Sequence, residues 1–173
     1  SEAASLAGHL ELSNLCWIYD DNKITIEGET NLAFSEDVGR RFEGFGWRIE
    51  YVEDANDAAS LSRALQSFKD EDKKPTLIVV KSIIGFGAPS KAGSHSSHGA
   101  PLGQEEIQGA KKAYGWPTDE AFHIPNGVAE HFQNSISERA EKATASWREA
   151  YQLLASAEPG VAKEIEYMLR GEL

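Results

Sequence analysis

Three observations predict an α/β chain in three layers around a mostly parallel sheet. Apolar runs of strand length lie at 15–19, 47–52 and 76–80, and helix-forming stretches at 2–12, 38–45 and 57–69 alternate with them. The third run, TLIVV, is apolar without interruption, as befits a strand covered on both faces of a parallel sheet. The order α, β, α, β, α, β then calls for right-handed crossovers that lay helices on the sheet.

Each element has its local cause. Ala3, Leu6, Ala7 and Leu10 give 2–12 a helical face of small and apolar residues that permits close packing. The strand at 15–19 stops at Asp20, Asp21 and Asn22, and a turn follows to Gly28. Ser35 is expected to cap the next helix, with Glu36 and Asp37 in its first turn, Val38, Phe42 and Phe45 on its face, and Gly44 or Gly46 at its end. Residues 47–52 alternate apolar and polar as a second strand. Asp57 caps a helix with Leu61, Ala64, Leu65 and Phe68 on one face, closed by the charged turn at 70–74 before Pro75.

Beyond the third strand the rhythm breaks. Residues 85–103 hold five glycines with His95 and His98 among them, and so long a loop in a compact domain reads as a binding loop. A helix at 104–114 ends at Gly115, and 116–125 is irregular. Phe132, Ile136, Ala140, Ala143, Trp147, Tyr151 and Leu154 recur at the spacing of one long amphipathic helix, with its aromatics as packing residues. Pro159 opens a last helix carrying Val161, Ile165 and Leu169.

The composition is that of a globular chain, with 40% apolar and 26% charged residues over 173 positions, enough for one domain with a good core. A formal net charge of −11 argues against phosphate-backbone binding as the main function, so nucleic acid is a poor partner. Cys16 is the only cysteine and reads as a small apolar residue in a reducing compartment. No apolar run has the length of a membrane span and no signal peptide is recognisable, so a soluble protein without a membrane partner is expected. Ser1 in place of an initiator Met predicts further sequence upstream.

The chemistry gathers in CWIYDDNKITIEG at 16–28. A strand that delivers polar groups to its carboxyl end places them where open α/β sheets carry ligands. The Asn22 amide oxygen and the Ile24 carbonyl are hard donors suited to Mg²⁺ or Ca²⁺. The same residues also read as an Asx turn after a strand. His95 and His98 would suggest zinc, but no third ligand is placed to support it.

The words SLAGHL at Ser5, YDDNKITIEG at Tyr19, RFEGFGW at Arg41 and KSIIGFGAPSKAGSHSSHGAPLG at Lys81, with the GW after Tyr114, resemble the amino-terminal, diphosphate-binding domain of transketolase in their order and gaps. The resemblance runs from end to end. It implies the thiamine-diphosphate-binding fold, here a partial domain: 1–115 as the carboxyl-terminal half of the diphosphate-binding domain, and 116–173 as a helical extension and linker. The family's Gly-Asp-Gly, whose aspartate is a metal ligand, would lie upstream of Ser1 and is absent, as are the pyrimidine-binding and carboxyl-terminal domains.

By the same resemblance, thiamine diphosphate is bound with Mg²⁺ held by Asn22 and the Ile24 carbonyl together with the absent aspartate. Ca²⁺ is a possible substitute. Ile26 packs near the cofactor rings or, read by itself, in the core. Lys81 lies near the diphosphate, where its positive charge offsets phosphate. His98 contacts the diphosphate and the reacting end of the sugar and serves proton transfer there. Glu2 resembles a buried glutamate that links two active sites across a homodimer, and on sequence alone is a first-turn helix acid.

The function implied is transfer of a two-carbon ketol unit from a ketose phosphate to an aldose phosphate, in the pentose phosphate pathway or the Calvin cycle. Sugar phosphates are its substrates, and its compartment is the cytoplasm or, given the missing N-terminus, a plastid. Two other readings stand beside it. The chain is a noncatalytic piece or one subunit of a split enzyme, complemented by other transketolase segments, or it belongs to a relative such as a dihydroxyacetone synthase. The isolated 173 residues are expected to be inactive.

Overall fold

A computed structural model of the chain describes residues 1–171; the last two residues of the helical extension and linker expected at 116–173 lie outside the described residues. The chain divides into two compact units, Ser1–Asp119 and Glu120–Leu173.

The first unit is built on three parallel strands, β1 (Cys16–Asp21), β2 (Arg48–Val52) and β3 (Thr76–Lys81), in the order β1-β3-β2. The uninterrupted apolar strand is the central one. Cys16 and Arg48 both stand in register with Thr76, so the carboxyl ends of the strands finish at a common edge. Successive side chains of β3 point to opposite faces, and each face has its own core. Leu77 and Val79 pack with Ala4 and Ala7 of α1 (Glu2–His9), Val38 and Phe42 of α2 (Val38–Gly44), and Trp47. Ile78 and Val80 pack with Val52 and with Ala64 of α3 (Ala58–Lys69). Helix, sheet and helix are thus the three layers expected.

The details that differ have physical reasons. The first helix ends at His9 rather than running to 12, because Leu10 closes it and Glu11 takes a positive φ of 53°. The cap of α2 is Asp37, whose carboxylate accepts the Arg40 N–H at 3.0 Å, and not Ser35. β1 extends through both aspartates, since pairing with β3 continues to Asp21 opposite Lys81. Close packing of α1 shows at Gly8, where a Cβ would lie 1.7 Å from the Phe45 carbonyl oxygen, and at Trp47, whose indole donates to the Ala4 carbonyl at 2.8 Å.

After α4 (Gln104–Ala113) in the first unit, the single long helix expected in the second unit is three segments: α5 (Val128–Phe132), a π-helical stretch (Gln133–Ser137) and α6 (Glu138–Ala157), followed by α7 (Pro159–Arg170). Tyr151 fastens α6 to α7, donating to the Ala162 carbonyl at 3.1 Å, with Glu166 at 2.9 Å. Of the aromatics expected to pack, Phe132 and Trp147 are more than half exposed. Ala162 is the buried residue of α7, while Val161 and Leu169 are exposed.

Candidate functional site

The carboxyl end of β1 runs directly into a tight turn. The Asn22 carboxamide oxygen accepts the Ile24 N–H at 2.9 Å, and its amide nitrogen donates to Asp20 at 3.3 Å. This is the Asx turn, and it forces Lys23 into the left-handed region at φ 61°, a costly conformation for a residue with a side chain. The turn is pinned from the far side, where Thr30 N–H donates to the Lys23 carbonyl at 2.9 Å and Thr25 N–H to the Gly28 carbonyl at 2.7 Å.

The donors there match the chemistry of a hard cation. An amide oxygen has two lone pairs, so Asn22 retains one after meeting Ile24 N–H. Among the described residues no hydrogen bond engages the Ile24 carbonyl. Asp21 is buried at 8% exposure and paired with Lys23 Nζ at 2.7 Å, while Asp20 is exposed and accepts a hydrogen bond from the hydroxyl of Ser82, the residue after β3. The acids of β1 therefore brace the turn from both sides. Tyr19, whose phenol burial and the Asp21 charge push upward, lies behind them.

Lys81 ends β3 on the same edge of the sheet. Its ammonium is paired with the Glu53 carboxylate, and that hydrogen bond and charge raise its pKa. An anion at this edge has to compete with Glu53 for it. Ile26 is 69% exposed in this chain and is not part of the core that these residues form. Glu2 is fully exposed in this chain at the start of α1.

His98 closes a short 3₁₀ turn (His95–Ser97) and is exposed, its N–H donating to the His95 carbonyl at 3.0 Å. The glycine-rich loop around it is folded onto itself. Ile84 accepts from Gly93 N–H at 2.8 Å, and a Cβ on Gly85 would lie 2.6 Å from the Ser97 hydroxyl, at a backbone φ of 63° that favours glycine. The structure thus brings Asn22, Ile24 and Lys81 to one edge of the sheet and carries His98 on the loop that leaves this edge after β3.

One feature of that loop had no signal in the sequence. Glu106, on α4 (Gln104–Ala113), accepts hydrogen bonds from Ser90 and Lys91, which hold its carboxyl below the usual range. Beside β1 lies an apolar groove of about 680 Å³ lined by Trp17, Ile18, Phe34 and Phe42 among others.

A parallel sheet sandwiched by helices, with a polar turn at the strands' carboxyl edge, defines an α/β domain of the ligand-binding class. Residues 1–173 match, over their whole length, the family described as transketolase, thiamine diphosphate binding domain. The chain belongs to the transketolase family through this domain. It is 44% identical over 173 residues to a transketolase of Bacillus subtilis, covering 100% of this chain and 26% of that protein. It is 42% identical to transketolase 1 of Saccharomyces cerevisiae, with 100% and 25% covered. Among solved structures it is similar to a Pichia stipitis transketolase in complex with xylulose-5-phosphate, at 37% identity and TM-score 0.87, over 99% of this chain and 25% of that one. Transketolase from Leishmania mexicana gives 35% identity and TM-score 0.88, with 99% and 26% covered. The chain thus spans about a quarter of the length of its relatives.

Proposed function

We propose that this chain supplies the metal-and-diphosphate part of a transketolase active site, in an enzyme that transfers a two-carbon ketol unit between sugar phosphates. The carrying observation is the end-to-end match to the thiamine diphosphate binding domain, with the braced Asn22 turn at the carboxyl edge of the sheet. Thiamine diphosphate, when bound, supplies the nucleophilic carbon for this chemistry. The residues of this chain hold and orient it. The Asn22 amide oxygen and the Ile24 carbonyl would ligate Mg²⁺, a cation that shares its shell with phosphate oxygens and water. Lys81 would exchange part of its Glu53 interaction for phosphate charge. Ile26, exposed beside the turn, would cover apolar ring surface.

His98 would donate a proton to phosphate or sugar hydroxyl from its exposed imidazole. Glu2, exposed here, is assigned to a homodimer contact that would bury it. Support for sugar phosphates as substrates comes from the Pichia stipitis relative solved with xylulose-5-phosphate. A reducing, cytoplasmic location is part of the same reading.

The chain alone is proposed to be inactive and to work in association, because it spans about a quarter of its relatives. Ketol transfer by the full-length protein carrying His98→Ala should fall by about 100-fold, the scale of a lost acid–base group. An unchanged rate would remove the role given to His98.

A further inference from the structure

We propose that Glu106 is a positioning residue that holds the His98 loop in place from α4, an inference resting on the role proposed above for His98. Glu106 and Glu105 both lie in the first turn of α4, where a carboxylate favours the helix N-terminus whatever else it does. Only Glu106 turns back onto the loop: among the described residues Glu105 makes no such contact. One Glu106 oxygen accepts the Ser90 N–H at 3.0 Å and the Lys91 N–H at 3.3 Å, and the other accepts the Ser90 hydroxyl at 2.5 Å. Two successive backbone amides and a hydroxyl thus converge on one carboxylate, and charge-assisted bonds of this kind are the stronger ones.

Lys91 then distributes that anchor to both sides of His98. Its carbonyl accepts the Ser97 hydroxyl at 2.7 Å and the Ser94 N–H at 3.2 Å, upstream of His98. Its ammonium donates to the Leu102 carbonyl at 2.8 Å and the Pro101 carbonyl at 3.5 Å, downstream. The helix face is shaped for the contact as well, since a Cβ on Gly109 would lie 2.2 Å from the Pro89 ring. His98 itself sits between two chain segments that both return to Lys91, and Lys91 is placed by Glu106.

The test uses the full-length enzyme with Glu106→Ala, Glu106→Gln and, as a milder lesion, Ser90→Ala. Glu106→Ala should accelerate hydrogen exchange at the Ser90, Lys91, Ser97 and His98 amides at least tenfold and leave β3 unchanged, with Glu106→Gln restoring much of the protection. It should lower ketol-transfer kcat/KM at least tenfold in the wild-type background and add little on top of His98→Ala. Unchanged exchange in Glu106→Ala overturns the anchor whatever the rate does. A rate loss of equal size with and without His98 overturns its action through His98. Failure of the parent reading is seen separately, as an unaltered rate in His98→Ala alone.

Discussion

At the scale of single residues, the turn at Asn22 shows how much the sequence discloses. Asp-Asp-Asn after an apolar run signals a strand end and an Asx turn, because these side chains bond their own backbone. The structure has that bond at 2.9 Å. Glu106 was not legible in the same way, since an acid in the first turn of a helix is what any helix favours and its Ser90 contact spans sixteen positions. Thr76 carries a different lesson. It is fully buried, and its hydroxyl has no hydrogen-bond partner among the described residues, although its backbone N–H donates to the Leu15 carbonyl at 3.0 Å. Replacing an orphaned hydroxyl by a methyl group removes a desolvation cost, so Thr76→Val should stabilise the sheet by about 1 kcal/mol. Native-state hydrogen exchange of the β3 amides checks this, and faster exchange in the variant would contradict it.

At the scale of elements, the helices flanking the sheet were readable to within a few residues, and their caps less so. Asp57 caps α3 as the sequence suggests, accepting from the Ala59 and Ser60 N–H groups at 3.0 Å each. Asp37 displaces Ser35 as the cap of α2 because the helix starts later than its acids imply. The π-helical stretch at Gln133–Ser137 leaves the apolar spacing nearly unchanged, so periodicity cannot distinguish it from a continuous helix. The Asp57 carboxyl is held below its ordinary value, chiefly by the Ser60 hydroxyl and then by backbone N–H groups. A carboxyl with a depressed folded pKa contributes stability above its unfolded pKa and loses it as pH falls through the folded value. Protection of the α3 amides should therefore decline below about pH 4 in the wild type. Asp57→Asn keeps a good cap without a titrating group and should flatten that decline. Identical acid profiles for the two proteins, read by hydrogen exchange, would contradict the assignment.

At the scale of the molecule, the continuous apolar run of β3 disclosed a strand covered on both faces, but its central place in the order β1-β3-β2 depends on contacts between segments far apart in sequence. Among the described residues β1 pairs on one side alone, with Ile18 60% exposed and the apolar groove beside it. An unpaired strand with apolar neighbours recruits another chain. The isolated 173 residues should therefore self-associate with rising concentration in light scattering, and a monomer that unfolds cooperatively at high concentration would count against this.

In the function proposed above, Asn22 at the end of β1 and His98 on the loop after β3 serve one magnesium-bound diphosphate. The most direct measurement is calorimetric titration of the full-length protein with thiamine diphosphate in the presence of Mg²⁺, comparing wild type with Asn22→Ala and with His98→Ala. Binding should be at least about tenfold weaker in each variant, as expected when a ligand or charge-assisted donor is lost. Wild-type affinity in either variant would contradict it.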